Sequence, residues 1–267
     1  MNGKVVLITG GTSGIGRVTA RELKRMGATV VVVGRDPGRL DAIRREIGAD
    51  TIRADLQLVG EARRAADELR RRYQRLHVLV NNAGALFGDR QITSEGLERT
   101  FALNHMAYFA LTAALLDLLR ASAPARVVTV SSEAARGGRI DFSDLQLERR
   151  FLGIRQYCNT KLMNLLFAFE LARRLQGTGV TSNAVHPGAI ASGFAMQGAV
   201  RGADASRAAV PDRRGEGCAH PDPGRVGPVA PDGDRQVLRP AAREAAASRC
   251  PRSGLGRAAV GRERADR

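Results

Sequence analysis

Val5-Val6-Leu7-Ile8-Thr9-Gly10-Gly11-Thr12-Ser13-Gly14-Ile15-Gly16 is the stretch of this 267-residue chain on which the fold turns. Its first five residues form a short apolar run of strand type. From Ile15 to Met26 the apolar residues recur at helical spacing. Between the two lies a turn rich in glycine. Glycine lets a backbone bend sharply and approach a pyrophosphate held at the next helix's N-terminus. A tight turn explains such a cluster equally well when it stands alone. Its place between a first strand and a first helix makes dinucleotide binding the better reading.

The same alternation continues outward. Strand patterns fall at Thr29–Gly34, Thr51–Ala54, Val78–Asn81, Arg126–Ser131 and Thr181–Val185. Helical patterns fall at Leu40–Ile47, Gly60–Arg72, Leu97–Leu119 and Tyr157–Leu175. Strands that are apolar without interruption, alternating with helices, indicate a parallel sheet covered on both faces. Right-handed crossovers then give an α/β, Rossmann-type doubly wound sheet in a single domain, expected over residues 1–198. Ligands of such folds sit beyond the carboxyl ends of the strands, so the chemistry is sought there.

Composition changes near residue 195. All eleven aromatic residues lie before it, whereas 199–267 holds no aromatic, no Ile and only two leucines, Leu238 and Leu255. That segment also carries seven of the ten prolines and 14 Arg against nine acids. It buries too little apolar area to offset its ordering entropy, so a disordered, basic tail is expected. The whole chain has a formal net charge of +15, but only Lys4, Lys24 and Lys161 among its 42 basic residues are lysine. Such arginine bias follows from GC-rich codons spread over a surface. A nucleic-acid face would need aromatics interleaved with the basic residues, and aromatics are 4% of the chain. Three cysteines make no disulfide framework, which points to a reducing, cytoplasmic compartment. The expectation is of no membrane span, since no apolar run reaches about 18 residues, and of no signal peptide ahead of Val5.

The second strand ends in Gly34-Arg35-Asp36, with Arg17 and Arg39 near in sequence. A guanidinium pairs bidentately with a 2′-phosphate, so NADP is the expected cofactor. Asp36 leaves room for NAD. After the third strand, Asp55-Leu56 offers a carboxylate either to an adenine amino group or to a helix cap. Asn81-Asn82-Ala83-Gly84 ends the fourth strand, Asn104 lies in the long helix, and Ser131-Ser132 follows the fifth strand. Tyr157-Cys158-Asn159-Thr160-Lys161 opens the last helix, and Pro187-Gly188 comes late. Taken in order, these pieces resemble the short-chain dehydrogenase/reductase family over residues 3 to about 194. The segments 157–175 and 180–188, with the long spacing from Ser132 to Tyr157, resemble its retinol-dehydrogenase and WW-domain-oxidoreductase-like branch.

Tyr157 and Lys161, four apart, project from one helix face. A phenol ordinarily titrates near pH 10, and a nearby ammonium is expected to lower that value enough for proton transfer at neutrality. The resemblance implies that Tyr157 exchanges the proton and that Lys161 also holds the nicotinamide ribose. It implies that Ser132, rather than Ser131, holds the substrate oxygen, and that Asn104 holds a water leading from the lysine to solvent. It places the cofactor on Gly10, Thr12, Ser13, Gly14, Ile15 and Gly16, then on Arg35, Asp55, Leu56, Asn82, Ala83 and Gly84. Tyr157, Lys161, Pro187, Gly188, Ile190 and Ser192 complete that set, with Ser192 standing where the family usually has Thr. The substrate implied is a small, apolar alcohol or carbonyl compound, and a homodimer is expected. Cys158 is read as a buried structural thiol. His77, His105, His186 and His220 have no ligand spacing, so no metal site is expected.

The resemblance stops after about Phe194. Asp234–Arg239 can be written GAC AGG CAA GTA CTT CGT, which read one base later encodes Thr-Gly-Lys-Tyr-Phe, a family-like last strand. Codons allowed for 216–225 give Lys-Ala-Ala-Arg-Thr-Pro-Ile-Arg in the same frame. The hypothesis is a frameshift between about 195 and 207, and a nucleotide sequence without that second frame would overturn it; an evolved basic tail is the alternative. Either way, two other functions stand beside the oxidoreductase: an NADP-binding protein without turnover, and DNA binding through the tail, which would be strongly salt-dependent.

Overall fold

The computed structural model describes residues 1–188. The strands are β1 (Val5–Thr9), β2 (Thr29–Gly34), β3 (Asp50–Arg53), β4 (Val78–Asn81), β5 (Ala125–Val130) and β6 (Val180–Val185). The helices are α1 (Gly14–Arg25), α2 (Pro37–Ile47), α3 (Val59–Arg72), α4 (Arg99–Phe101), α5 (Ala107–Ala121) and α6 (Gly153–Arg174). All six strands are parallel, in the order β3-β2-β1-β4-β5-β6. The order reverses between β1 and β4, which opens the crevice where doubly wound sheets bind ligands.

Alternation along β1 shows why its run is apolar throughout. Leu7 belongs to a buried core shared with Ala62, Ala66 and Leu69 of α3 and with Leu111 and Leu115 of α5. Val6 and Ile8 point the other way, into a core with Ala20 of α1 and Leu40 and Ile43 of α2. Each strand residue therefore meets a helix layer, and a polar residue on either side would be buried without a partner.

β3 is an edge strand, and arginines cover its outward carbonyls. Arg72 donates to Thr51 O at 3.0 Å and Arg64 donates to Arg53 O. Edge strands with free carbonyls invite pairing with other chains, and charged cover of this kind blunts that tendency. Among the described residues nothing pairs with the outer side of β6. The division at residue 198, the tail 199–267 and its alternative frame lie outside the described residues.

Three details depart from the sequence-based reading. The last long helix starts at Gly153, so Tyr157 stands one turn inside it rather than at its mouth. Gly153 is selected there because an added Cβ would collide with Phe87 O. The helix expected from Leu97 starts at Arg99, because the buried Glu98 carboxylate accepts from the N–H groups of Thr100 and Phe101, both at 2.8 Å. A π-helical turn over Ala102–Met106 then joins α4 to α5, and Asn104 sits in it. Arg99–Ala121 as a whole is long and apolar enough, by length and composition, to cross a membrane. Its inward face is core: Ala107, Leu111, Leu115 and Leu119 are buried against the sheet.

Candidate active site

The crevice has two ends. At the first, the turn after β1 folds back on the end of β4. Gly10 takes a φ of +67°, and a Cβ on it would meet Ala83 Cα at 2.9 Å. A Cβ on Gly16 would strike Gly10 O and the Asn82 side chain. Asn82 Nδ2 donates to Thr9 O at 2.9 Å, while Thr9 Oγ1 accepts from the N–H groups of Asn82 and Ala83 at 2.8 and 3.0 Å. The Asn82 side chain thus builds the turn, and what faces the crevice beside it is Ala83 and Gly84. Ser13 is the N-cap of α1 but makes no side-chain cap bond, which leaves the first N–H groups of that helix for an anion. A dinucleotide pyrophosphate fits this turn: it is glycine-lined and sits at a twelve-residue helix's positive end.

Further along, Asp36 accepts from Arg39 N at 2.9 Å and so caps α2. Arg35 is exposed and makes no hydrogen bond or ion pair among the described residues. Arg17, which stood near the same phosphate in sequence, is ion-paired to Glu46 instead. Asp55 Oδ1 accepts from the backbone and side-chain N–H groups of Gln57, both at 3.1 Å, a turn-type use of the carboxylate. Leu56 is buried in the core, so only its backbone can meet a ligand.

At the other end, Lys161 is 3% exposed and donates to Val130 O at 3.1 Å. Its Nζ stands 5.6 Å from the Tyr157 ring centroid. Burial holds the Lys161 ammonium down to about 8. The Tyr157 phenol is raised above its ordinary range by burial, against the pull of a hydrogen bond with Ser132. The lowering of Tyr157 expected from Lys161 is therefore not what this structure has: burial outweighs the hydrogen bond with Ser132, which is what pulls the phenol down. Ser132 is also the cap of a 3-10 turn over Glu133–Gly137, accepting from Ala134 N at 3.2 Å. Ser131 points the other way and donates to Lys161 O at 2.8 Å.

Asn104 is fully buried. Its Oδ1 accepts from Ala85 N at 2.9 Å, and its Nδ2 donates to Ala85 O at 2.9 Å and Thr160 Oγ1 at 3.2 Å. Its carbonyl accepts from Asn164 Nδ2 at 2.8 Å. The side chain clamps the segment after Gly84, whose Cα lies close enough that a Cβ would meet Asn104 Oδ1 at 3.3 Å and Lys161 Nζ at 3.6 Å. Asn164, Thr160 and Thr9 are the residues that sequence reasoning missed, while Ser131, there set aside in favour of Ser132, has the structural bond to Lys161 O. The one available signal was helical spacing, which puts Asn164 three residues after Lys161. Cys158 is half-buried rather than buried, and burial raises its thiol. Pro187 and Gly188 (φ +82°) follow β6; Ile190, Ser192 and His220 lie outside the described residues. Among the described residues no cluster of His, Cys, Asp and Glu could hold a metal ion.

A family model described as short chain dehydrogenase matches residues 4–201. Retinol dehydrogenase 12 of Mus musculus is 46% identical over 197 residues, which are 71% of this chain and 62% of that protein. The match thus spans less than two thirds of that relative's length. Among solved structures, an uncharacterized protein from Mycobacterium Paratuberculosis is 39% identical, with a TM-score of 0.65 over 73% of this chain and 72% of that one. The RhlG/NADP active-site complex of Pseudomonas aeruginosa is 30% identical, with a TM-score of 0.62 over 73% of this chain and 76% of that one.

Proposed function

The chain belongs to the short-chain dehydrogenase/reductase family, and from that premise we propose that it is an NADP-dependent oxidoreductase interconverting an alcohol and a carbonyl compound. The observation that carries this reading is the convergence of Ser132, Tyr157 and the buried Lys161 beside Gly84. NADP, when bound, supplies or accepts the hydride. The protein's part is alignment and proton transfer. Ser132 and Tyr157 are hydrogen-bonded to each other, so one substrate oxygen can meet both hydroxyls. Ser132 orients that oxygen. Tyr157 gives it a proton in reduction and takes one in oxidation. A phenol kept neutral by burial is already in the donor form. Lys161 is one turn away, and its charge stabilises the phenolate left behind. Asn104 holds the backbone at Ala85 and so fixes the floor of the crevice.

NADP rather than NAD is supported by the use each side chain already has. Asp36 is occupied as a helix cap, and Arg35 is free for a phosphate. An apolar substrate is supported by the similarity to relatives named retinol dehydrogenase. We assign the chain to the cytoplasm as a homodimer meeting through α5 and α6, where Phe109, Leu166 and Phe169 are about half exposed. A second reading, NADP binding without turnover, is favoured by one observation: the family match ends at residue 201 of 267.

The test is titration with NADPH and NADH, followed by a panel of carbonyl compounds at saturating NADPH. The chain has no tryptophan, so the nucleotide's own emission reports binding cleanly. In Tyr157→Phe, kcat is expected to fall by about 10³-fold while NADPH affinity stays within about twofold. Turnover unchanged in that variant refutes the proton donor. Binding without turnover on any carbonyl selects the second reading, and absence of NADPH binding removes both.

A further inference from the structure

Arg53, at the end of β3, belongs to no motif and was not among the residues expected to bind the cofactor. In the sheet it is the register partner of Gly34, so its Cα lies beside the residue that precedes Arg35. A cavity of about 430 Å³ opens at these two strand ends, lined by Arg35, Arg53, Asp55, Glu61 and Arg64. The arginines around it differ in how they are used. Arg64 is held by Glu61 and Glu68 and by Arg53 O. The guanidinium groups of Arg35 and Arg53 make no hydrogen bond or ion pair among the described residues; that of Arg53 is felt by Glu61 only through space. The two carboxylates facing the cavity are engaged as well, Glu61 by Arg64 and Asp55 by Gln57.

Two unpaired guanidinium groups on one cavity repel each other, a weak cost at an exposed site and one that a bound dianion removes. The direction of the cleft says which dianion. A pyrophosphate at the N-terminus of α1 leaves the adenosine to run across the ends of β2 and β3. There the adenosine ribose reaches the cavity that Arg35 and Arg53 share. We propose that Arg53 is a specificity-determining residue: with Arg35 it brackets the 2′-phosphate of NADP. The inference rests on the NADP reading above and adds to it a second cation from a different strand.

The experiment is titration of the full chain with NADPH and NADH, for the wild type, Arg53→Ala, Arg35→Ala and the double variant. Both positions are exposed, and circular dichroism checks that each variant is folded. Arg53→Ala is expected to weaken NADPH about tenfold and NADH less than twofold, as for loss of one charge-assisted contact. The double variant is expected to bind the two nucleotides alike. Adenosine 2′,5′-bisphosphate, used as a competitor, is expected to lose affinity in parallel with NADPH. Arg53→Ala leaving NADPH unchanged, or weakening both nucleotides equally, overturns the inference. If that happens while Arg35→Ala still weakens NADPH selectively, the NADP reading stands and this inference alone falls. A wild type that binds no NADPH, or prefers NADH, overturns both.

Discussion

Where β2 and β3 end, the side chains offered to a ligand are exposed arginines whose guanidinium groups are free. Where β4 and β5 end, they are a buried lysine and a fully buried asparagine whose polar atoms are bonded to backbone carbonyls and N–H groups from distant parts of the chain. The first arrangement binds: its charges are screened, cost little to hold, and change affinity when removed. The second positions: its groups are desolvated, each partner is needed, and a deletion strands buried atoms. Mutations at the two ends should therefore fail differently, in affinity at one and in stability at the other.

The largest effect is expected at Asn104. Asn104→Ala leaves Ala85 N and Ala85 O without partners and frees Thr160 Oγ1. Each stranded buried group costs roughly 1–3 kcal/mol, so a loss of about 3 kcal/mol is expected in urea unfolding. NADPH affinity measured below the transition should change much less than stability does. A variant as stable as the wild type, with nucleotide binding lost instead, would break the contrast between the two ends.

Lys161 tests the same contrast with the opposite sign. Its burial is costly to the folded state. Folded Lys161 gives up its proton near pH 8, whereas an unfolded lysine holds it to about 10.5. Across that window the folded state binds fewer protons, so wild-type stability rises with pH, and the full penalty is present at pH 7. Lys161→Met removes the penalty and also the bond to Val130 O. A net gain of about 2 kcal/mol is expected at pH 7, shrinking as pH rises from 8 towards 10.5, with turnover lost. Equal stability of the two proteins at every pH would show that the ammonium reaches solvent.

Which parts were legible in the sequence follows from how far apart the partners lie. The glycines of 10–16 read out directly, because strand, turn and helix are consecutive. Tyr157 and Lys161 read out because helical spacing is local. Arg35 read out as an arginine at a strand end, but Arg17 beside it did not, since its partner Glu46 lies 29 residues away. Asn104 was recognised, yet its work was not visible: its contacts run to Ala85, Thr160 and Asn164 across two helices. Thr9 was read only as the end of a strand, and its hydroxyl turns out to hold Asn82 and Ala83. The start of α6 was missed by one turn because Gly153 is chosen by contact with Phe87, not by any helix-forming tendency.

A smaller effect sharpens the reading of Tyr157, the proposed proton donor. The chain has three tyrosines and no tryptophan, so tyrosinate absorbance is easily followed. Tyr73 is pushed up to about 12 by burial and its bond to Asp50, and burial also raises Tyr108 and Tyr157. At pH 10 the native protein should show less than about half a tyrosinate, while denatured chain titrates all three near pH 10. One full tyrosinate in the native protein that disappears in Tyr157→Phe would mean that Lys161 outweighs burial after all.

The smallest effect is expected at Arg17, and it separates nearness in sequence from use. Arg17 follows Gly16 directly and sits in the first turn of α1, where a phosphate-binding arginine would be looked for. In the fold its guanidinium turns away to Glu46, a partner that Arg21 also reaches at 3.4 Å. The pair is largely exposed, and exposed pairs contribute about 0–1 kcal/mol. Arg21 remains to pair with Glu46 when Arg17 is removed. Arg17→Ala should therefore change stability by less than about 0.5 kcal/mol and NADPH affinity by less than about twofold. Arg35→Ala, one strand away, should weaken NADPH selectively. If Arg17→Ala instead matched Arg35→Ala, the Glu46 pair would have to open on binding, and the phosphate would be held from α1 as well as from the ends of β2 and β3.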